Sequence, residues 1–315
     1  MLVLTDLDRD RIEASLSEDH FFWLDLDDPT PGEIQDAAEL LKLHPVAVED
    51  TIEFGQRPKL DVYENHLLIV FYTARISSTD GHTAEPIEVH IYLSGSFVLT
   101  VRRLECMVLE ELHEQLAETP IRDEGYLIYR ILDTLTDAYY PVINAVEGRV
   151  DALEGQILLR ARREQLPVIY RLRQEVRELL RIGTSQRDHF IPTAEAIRSL
   201  PGLAQGTREY LRDVGDHLTQ VAGELQRQTE DLNALTGTYF NANSDRLNAV
   251  AARLTVAGTI FITWTVFAGF FGQNFGWMVR HIDGPLSFFT LGLGLPLAVT
   301  ALAGVILYVK RDSLF

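Results

Sequence analysis

The stretch Thr259–Trp277, TIFITWTVFAGFFGQNFGW, carries no charge and ends in a polar pair, Gln273 and Asn274, flanked by Gly272 and Gly276. Each of those amides bears donors and an acceptor that hydrocarbon cannot satisfy, so their place at the end of an apolar run calls for polar company. The run extends in both directions. No residue from Leu254 to Val279 is charged, and none from Gly284 to Val309. As a helix rising 1.5 Å per residue, each window spans about 39 Å, more than the roughly 30 Å of a bilayer's hydrocarbon. Only Arg280, His281, Ile282 and Asp283 separate the windows, so the second is expected to turn straight back. The reading that follows is a soluble chain ending in a transmembrane hairpin, with spans at about 254–273 and about 286–309.

The remaining residues are of another kind. The chain has 315 residues, 46 acidic against 28 basic, for a formal net charge of −18. Such a balance argues against nucleic acid as a partner, whose binders are generally basic, and suits a protein that gathers cations. Arg246 and Arg253 precede the first window, Lys310 and Arg311 follow the second, and the turn between them holds one Arg and one Asp. Under the positive-inside rule both termini lie in the cytoplasm and the protein is a multi-pass protein of the inner cell membrane. The start, MLVLTDLDRD, is too acidic for a secretory signal. A single cysteine, Cys106, fits a reducing compartment and rules out an intramolecular disulfide framework. The nine histidines show no HxxH or HExxH spacing, and no Walker loop, GxSxG or GxGxxG is present. Neither an enzyme nor an organic cofactor is expected.

Two textures divide the soluble part. From Phe21 to about Arg103, short runs rich in β-branched and aromatic residues stand between turn signals. HLLIVFYTARI (His66–Ile76), IEVHIYL (Ile87–Leu93) and SFVLTVRR (Ser96–Arg103) read as strands, with hairpin turns at Gly81 and Gly95. TPGEIQDAAELLKLHPVAVED (Thr30–Asp50) reads as helical, with Thr30 as N-cap, Pro31 in the first turn and Glu33 three residues on. After about Glu105 apolar residues recur every three or four positions, and Pro141 and Pro167 are expected to bend or interrupt the helices. A last polar helix from about Thr207 to Asn248 contains no Pro and leads into the first span. The expected organisation is a cytoplasmic mixed α/β domain with a helical hairpin (1–205), a stalk helix (206–253) and the transmembrane hairpin (254–315).

Read as a helix, the first span has a distinct face. Asn248, Ala251, Thr255, Gly258, Ile262, Thr265, Gly269 and Gly272 follow at steps of three or four, and all but Ile262 are small or polar. Phe261, Trp264, Phe267, Phe270 and Phe271 fall elsewhere. Small residues at this spacing serve close helix packing, and a Thr hydroxyl can bond its own backbone, so the stripe alone leaves packing and pore lining both open. Two helices cannot enclose a path, whereas a symmetric ring of subunits can, each lending its stripe. At the end of the stripe, Gly272 and Gly276 let the backbone leave helical geometry, and the carbonyls of Gln273 and Asn274 suit a divalent cation that stays hydrated. Mg2+ sheds water reluctantly, and neutral acceptors hold its water shell without trapping it.

These residues carry a resemblance. FGQNFGW, closing the first of two C-terminal spans, resembles the CorA family of divalent-cation channels, whose signature is YGMNF; here the GMN triplet reads GQN. FWLDLDDPTPGEI, LHPVAVEDTIEFGQRPKLDVYENHLLIVFY, GSFVLTVRR and GYLIYRILDTLTDAYYPVI are similar to family blocks in the same order. The resemblance implies a funnel-shaped homopentamer with an α/β N-terminal domain, a long stalk helix and five first spans around the pore. It implies a channel carrying Mg2+, or Co2+ or Ni2+, into the cytoplasm, gated by cytoplasmic divalent cation. A Zn2+ carrier of the same fold and a non-conducting membrane-tethered metal sensor are the alternatives. By the same resemblance Gly272, Gln273 and Asn274 form the selectivity filter, with Asn274 facing the hydrated ion, and Thr265, Ile262 and Asn248 line the pore. Gln273 stands in place of the motif's methionine, Phe271 of its tyrosine, and Thr263 of a proline found in many members. The outer turn lacks the usual glutamate and leaves Asp283 as its only carboxylate. Gly237 stands where sensing members have an aspartate, so Glu230 and Asp231 are the candidate regulatory ligands.

Overall fold

The alternation of side chains along HLLIVFYTARI sends Leu67, Ile69 and Phe71 to one face of a strand and Leu68, Val70 and Tyr72 to the other, and all six are buried. A strand buried on both faces needs cover on both, and the protein supplies it. The computed structural model describes residues 2–118, 124–200, 207–273, 275–282 and 284–309. They divide into two compact units, residues 1–239 and 240–315.

The first unit is built on a six-stranded sheet: β1 (Leu2–Leu4), β2 (Phe22–Asp27), β3 (Lys59–Val62), β4 (Leu67–Ile76), β5 (Ala84–Leu93) and β6 (Phe97–Arg102), in the order β1-β2-β6-β5-β4-β3. β1, β2 and β6 run parallel, and the β6-β5-β4-β3 half is antiparallel. Both expected hairpins form. Gly81 takes φ +68 in the β4–β5 turn, and the Ser94 hydroxyl accepts from the amides of Ser96 and Phe97 in the β5–β6 turn. Beyond the end of β3, the Gln186 side-chain amide completes β4 by accepting from Tyr72 N–H at 2.5 Å and donating to Tyr72 C=O at 3.0 Å.

One face of the sheet is covered by α1 (Arg9–Ser17), α2 (Pro31–Leu41) and α3 (Pro45–Glu53), through Ile12, Ile34, Leu41 and Val48. Thr30 and Glu33 close a reciprocal capping box at the start of α2, as the sequence indicates. The stretch Thr30–Asp50 is helical as read, and it forms two helices. Lys42 turns left-handed at φ 55, and Pro45 opens α3 with His44 accepting from Val46 N–H. The opposite face is covered by α4 (Met107–Glu118), α5 (Glu124–Asp137) and parts of two later helices. Pro141 and Pro167 do not bend helices: each lies in a first turn, of α6 (Tyr139–Leu159) and α7 (Gln165–Arg198), where a missing N–H costs nothing. α8 runs unbroken from Thr207 to Phe271. Its first turns bring Leu211, Val214 and Leu218 into the sheet's core beside Phe190 and Ile197.

In the second unit the end of α8 is followed by α9 (Gly276–His281), α10 (Pro285–Ser287) and α11 (Leu295–Val309). The turn between the windows is thus longer than the four residues expected, because the chain leaves the helix at Phe271 and coils again from Gly276. Between α10 and α11 a wide π-helical turn spans Phe288–Gly294. Pro296 has no N–H to offer the carbonyl of Gly292, so the ladder must be re-registered there.

Buried charge at the sheet's centre ties the parallel strands together. Arg102 on β6 and Asp25 on β2 are each 2% exposed, and Arg102 Nη1 donates to Asp25 Oδ2 at 2.5 Å. Thr100 donates its hydroxyl to the other carboxylate oxygen and accepts from Trp23 Nε1 at 2.9 Å. Asp25→Ala removes the shortest partner of the buried guanidinium and leaves it only the longer pairs to Asp27 at 3.5 Å and Glu110 at 3.8 Å; we expect a cost of about 3 kcal/mol, read as a lowered Tm of the purified protein by circular dichroism.

Candidate functional site

Seven of the eight stripe positions, Asn248, Ala251, Thr255, Gly258, Ile262, Thr265 and Gly269, lie on α8, and Gly272 follows just past its end, so one helical register relates the seven. At 100° per residue the seven occupy an arc of about 100°. Trp264, Phe267, Phe270 and Phe271 lie away from it, with Phe261 near its border. Ile260, Phe261 and Phe270, off the arc, are 43%, 75% and 56% exposed in a single chain, an apolar surface that water does not tolerate.

The threonine hydroxyls are spent on the helix itself. Thr255 donates to Ala251 C=O at 2.9 Å and Thr265 to Phe261 C=O at 2.8 Å, and Thr259 and Thr263 do the same off the arc. With its proton committed, each Oγ turns only lone pairs outward. Thr255 and Thr265 are therefore acceptors on the arc, which is the polarity that the water shell of a cation requires.

The arc ends where the helix tapers. Gly272 N–H donates to Ala268 C=O at 2.8 Å, Gln273 N–H to Phe270 C=O at 3.3 Å, and Phe275 N–H to Gln273 C=O at 2.9 Å. The step from a four-residue to a three-residue bond tightens the backbone at Gly272, where a Cβ would stand 2.9 Å from Ala268 O. Only glycine fits that approach. Gln273 follows, exposed, between α8 and α9. Asn274 and Asp283 lie outside the described residues.

The two acidic positions read as regulatory are exposed on α8. Glu230 Oε1 accepts from Gln226 Nε2 one turn back at 3.0 Å, and among the described residues neither Glu230 nor Asp231 joins a cluster of possible ligands. A different group does. Asp133 on α5 meets Asp213 and His217 on α8 with one ligand atom of each within 4.8 Å of the others. His217 Nδ1 is 3.0 Å from Asp133 Oδ1 and 3.6 Å from Asp137 Oδ1, while Tyr129 donates its hydroxyl to Asp213 Oδ2 at 2.9 Å. Burial, then the neighbouring Asp133, pushes the Asp137 carboxyl above its ordinary range. Two oxygens and an imidazole nitrogen suit a divalent metal, and the nitrogen favours Co2+, Ni2+ or Zn2+ over Mg2+. Asp213 and His217, like Asp133 and Asp137, are four apart and share a helix face. That spacing is visible in sequence, but which helices meet is not.

A family model described as the CorA-like Mg2+ transporter protein matches residues 18–311. The chain belongs to that family. CorA relatives agree: the cobalt/magnesium transport protein CorA of Thermotoga maritima is 28% identical over 254 residues, covering 78% of this chain and 70% of that one. The putative metal ion transporter YfjQ of Bacillus subtilis is 29% identical over 263 residues, covering 82% and 80%. The complete CorA magnesium transporter structure from Methanocaldococcus jannaschii superposes with a TM-score of 0.76 at 20% identity, over 92% of this chain and 90% of that one, a likeness of fold. The protein is thus a membrane transporter of divalent metal ions and not an enzyme, with the CorA architecture of α/β domain, long helix and two apolar C-terminal helices.

Gly272→Ala forces a methyl against Ala268 O, so it should loosen the end of α8. Faster hydrogen exchange at residues 268–273 is the expected result, with Gly276→Ala, whose added methyl would find only the Arg280 guanidinium at 4.0 Å, leaving that segment unchanged.

Proposed function

We propose that five copies of the chain set the Asn248–Gly272 arc of α8 around a common axis and conduct hydrated Mg2+, with Co2+ or Ni2+ as alternative cargo, into the cytoplasm. The observation that carries this reading is the arc itself: glycines and acceptor-only hydroxyls in one register on an unbroken helix whose other faces are apolar and exposed. Lipid satisfies the apolar faces, and a shared aqueous axis satisfies the arc. Ile262, with Val266 at the arc's edge above Asn248, narrows the path there, while Gln273 and Asn274 at its outer end present amide oxygens to the ion's water shell. Both chain termini face the cytoplasm under this reading, and the membrane potential drives entry, since two charges moved through 100 mV release about 4.6 kcal/mol.

The test is metal influx into liposomes holding the purified protein. Wild type is expected to admit Mg2+, and Asn274→Ala to reduce the flux at least tenfold. Influx of Zn2+ alone, or influx that grows with an imposed proton gradient, would instead identify a carrier, and no divalent flux at all a tethered sensor.

Gating by internal cation is assigned here to Asp133, Asp213 and His217 rather than to Glu230 and Asp231, because only the former converge. α8 carries both this cluster and the arc, so occupancy of the one can bias the other through a single helix. Asp213→Asn should raise the internal Mg2+ or Co2+ concentration that halves the flux by about tenfold, with the flux in metal-free lumen unchanged. An identical response from Glu230→Gln and not from Asp213→Asn would move the site back to the stalk acids.

A further inference from the structure

Among the described residues outside the second unit, the two most exposed large apolar side chains are neighbours: Leu158 at 68% and Leu159 at 89%. They end α6, and Arg160, Arg162 and Arg163 follow at once, all exposed. Three guanidiniums within four positions stand out in a chain of net charge −18, with Glu164 the one acid beside them. Among the described residues none of the three arginines forms an ion pair.

The turn that presents them is built. Arg160 is extended at φ −164, and its N–H closes α6 on Gln156 C=O at 2.9 Å. Gln165, 8% exposed, accepts from Arg162 N–H at 2.7 Å through its side-chain oxygen, and its amide nitrogen reaches Arg160 C=O at 3.5 Å. Ala161 is tucked under at 7% exposure. This clamp holds the leucines and arginines outward at the tip of the α6–α7 hairpin. Beside them lies an open groove of about 730 Å³ that includes Leu153, Leu159, Val168 and Leu172.

We infer that this tip docks onto an anionic lipid surface, with Leu158 and Leu159 in the headgroup–acyl boundary and Arg160, Arg162 and Arg163 on lipid phosphates. Two adjacent leucines flanked by basic side chains have the chemistry of an interfacial anchor, and the charge is opposite to that of an anionic leaflet. A bilayer is also the partner always at hand, because the chain that carries the tip carries its own membrane spans, and tethering raises effective concentration. This inference rests on the reading that α8 and α11 span a membrane.

The test uses the full chain as Leu159→Cys labelled with bimane, the native Cys106 being 2% exposed and its thiol pushed up to about 11 by burial, hence unreactive. The labelled protein is placed in nanodiscs of phosphatidylcholine alone or with phosphatidylglycerol, each containing a nitroxide-headgroup lipid as quencher. Strong quenching is expected in the phosphatidylglycerol discs. Replacing all three arginines by Gln should lower the tip's partition about a hundredfold and return the signal to the phosphatidylcholine level. No quenching in either disc, or equal quenching that the triple substitution leaves unchanged, would overturn the proposal. So would a cross-link from position 159 to a neighbouring copy without quenching, which would show a second copy covering the tip. A parallel label at Phe261→Cys, quenched in both discs, confirms that the protein is inserted, so a failure of the membrane reading is seen separately.

Discussion

A helix with hydroxyls and glycines on one arc and Phe, Trp and Ile on the remainder cannot be satisfied by a single solvent, and that constraint shapes the second unit. In hydrocarbon every backbone N–H and C=O must find its partner within the segment. α8 meets this with an uninterrupted ladder through Phe271, reinforced by threonine hydroxyls folded back on carbonyls one turn earlier. Those same bonds decide the character of the arc. A free hydroxyl can donate or accept, whereas Thr255 and Thr265 can only accept. The structural economy of a membrane helix and the chemistry suited to a hydrated cation are here one feature.

Under the gating proposal, the helix that bears the arc is also the output of a metal sensor in the first unit. Leu211, Val214 and Leu218 fix the start of α8 in the sheet's core, so its N-terminal turns are as rigid as the sheet. Asp213 and His217 project from those turns onto Asp133 of α5. Under the gating proposal a metal there would bridge two helices; without one, burial and then the neighbouring Asp133 already push the Asp137 carboxyl up. Charge in this cluster is therefore a lever on the packing of α8. Whether the lever moves the arc depends on two states of one continuous helix, which is the physical content of the gating proposal.

Much of this was legible in sequence because local rules decided it. Thr30, Pro31 and Glu33 specified the start of α2 through the capping box, and the β-branched and aromatic content of His66–Ile76 specified a strand. The arc on α8 followed from 3.6-residue periodicity, and its register survives because no proline interrupts it. The failures share a cause. The left-handed turn at Lys42 that divides the Thr30–Asp50 stretch was not legible, because a lysine does not advertise it, whereas the interruptions read at Pro141 and Pro167 fall just before each proline. The Asp133–Asp213–His217 group was invisible because its members are some 80 residues apart, and only the packing of α5 against α8 joins them. The same holds for Asp25 and Arg102, which the sheet order alone makes neighbours.

The two polar sites differ in a way that fits their proposed tasks. The cluster in the first unit is charged, partly buried and includes a nitrogen, a set that strips water and retains a metal. The arc and its Gln273 terminus offer neutral oxygens only, which contact a water shell without replacing it. A site meant to report concentration needs residence, and a site meant to pass ions needs departure as much as entry. Had the carboxylates been on the arc and the amides in the cluster, Mg2+ would bind in the path and be ignored by the sensor.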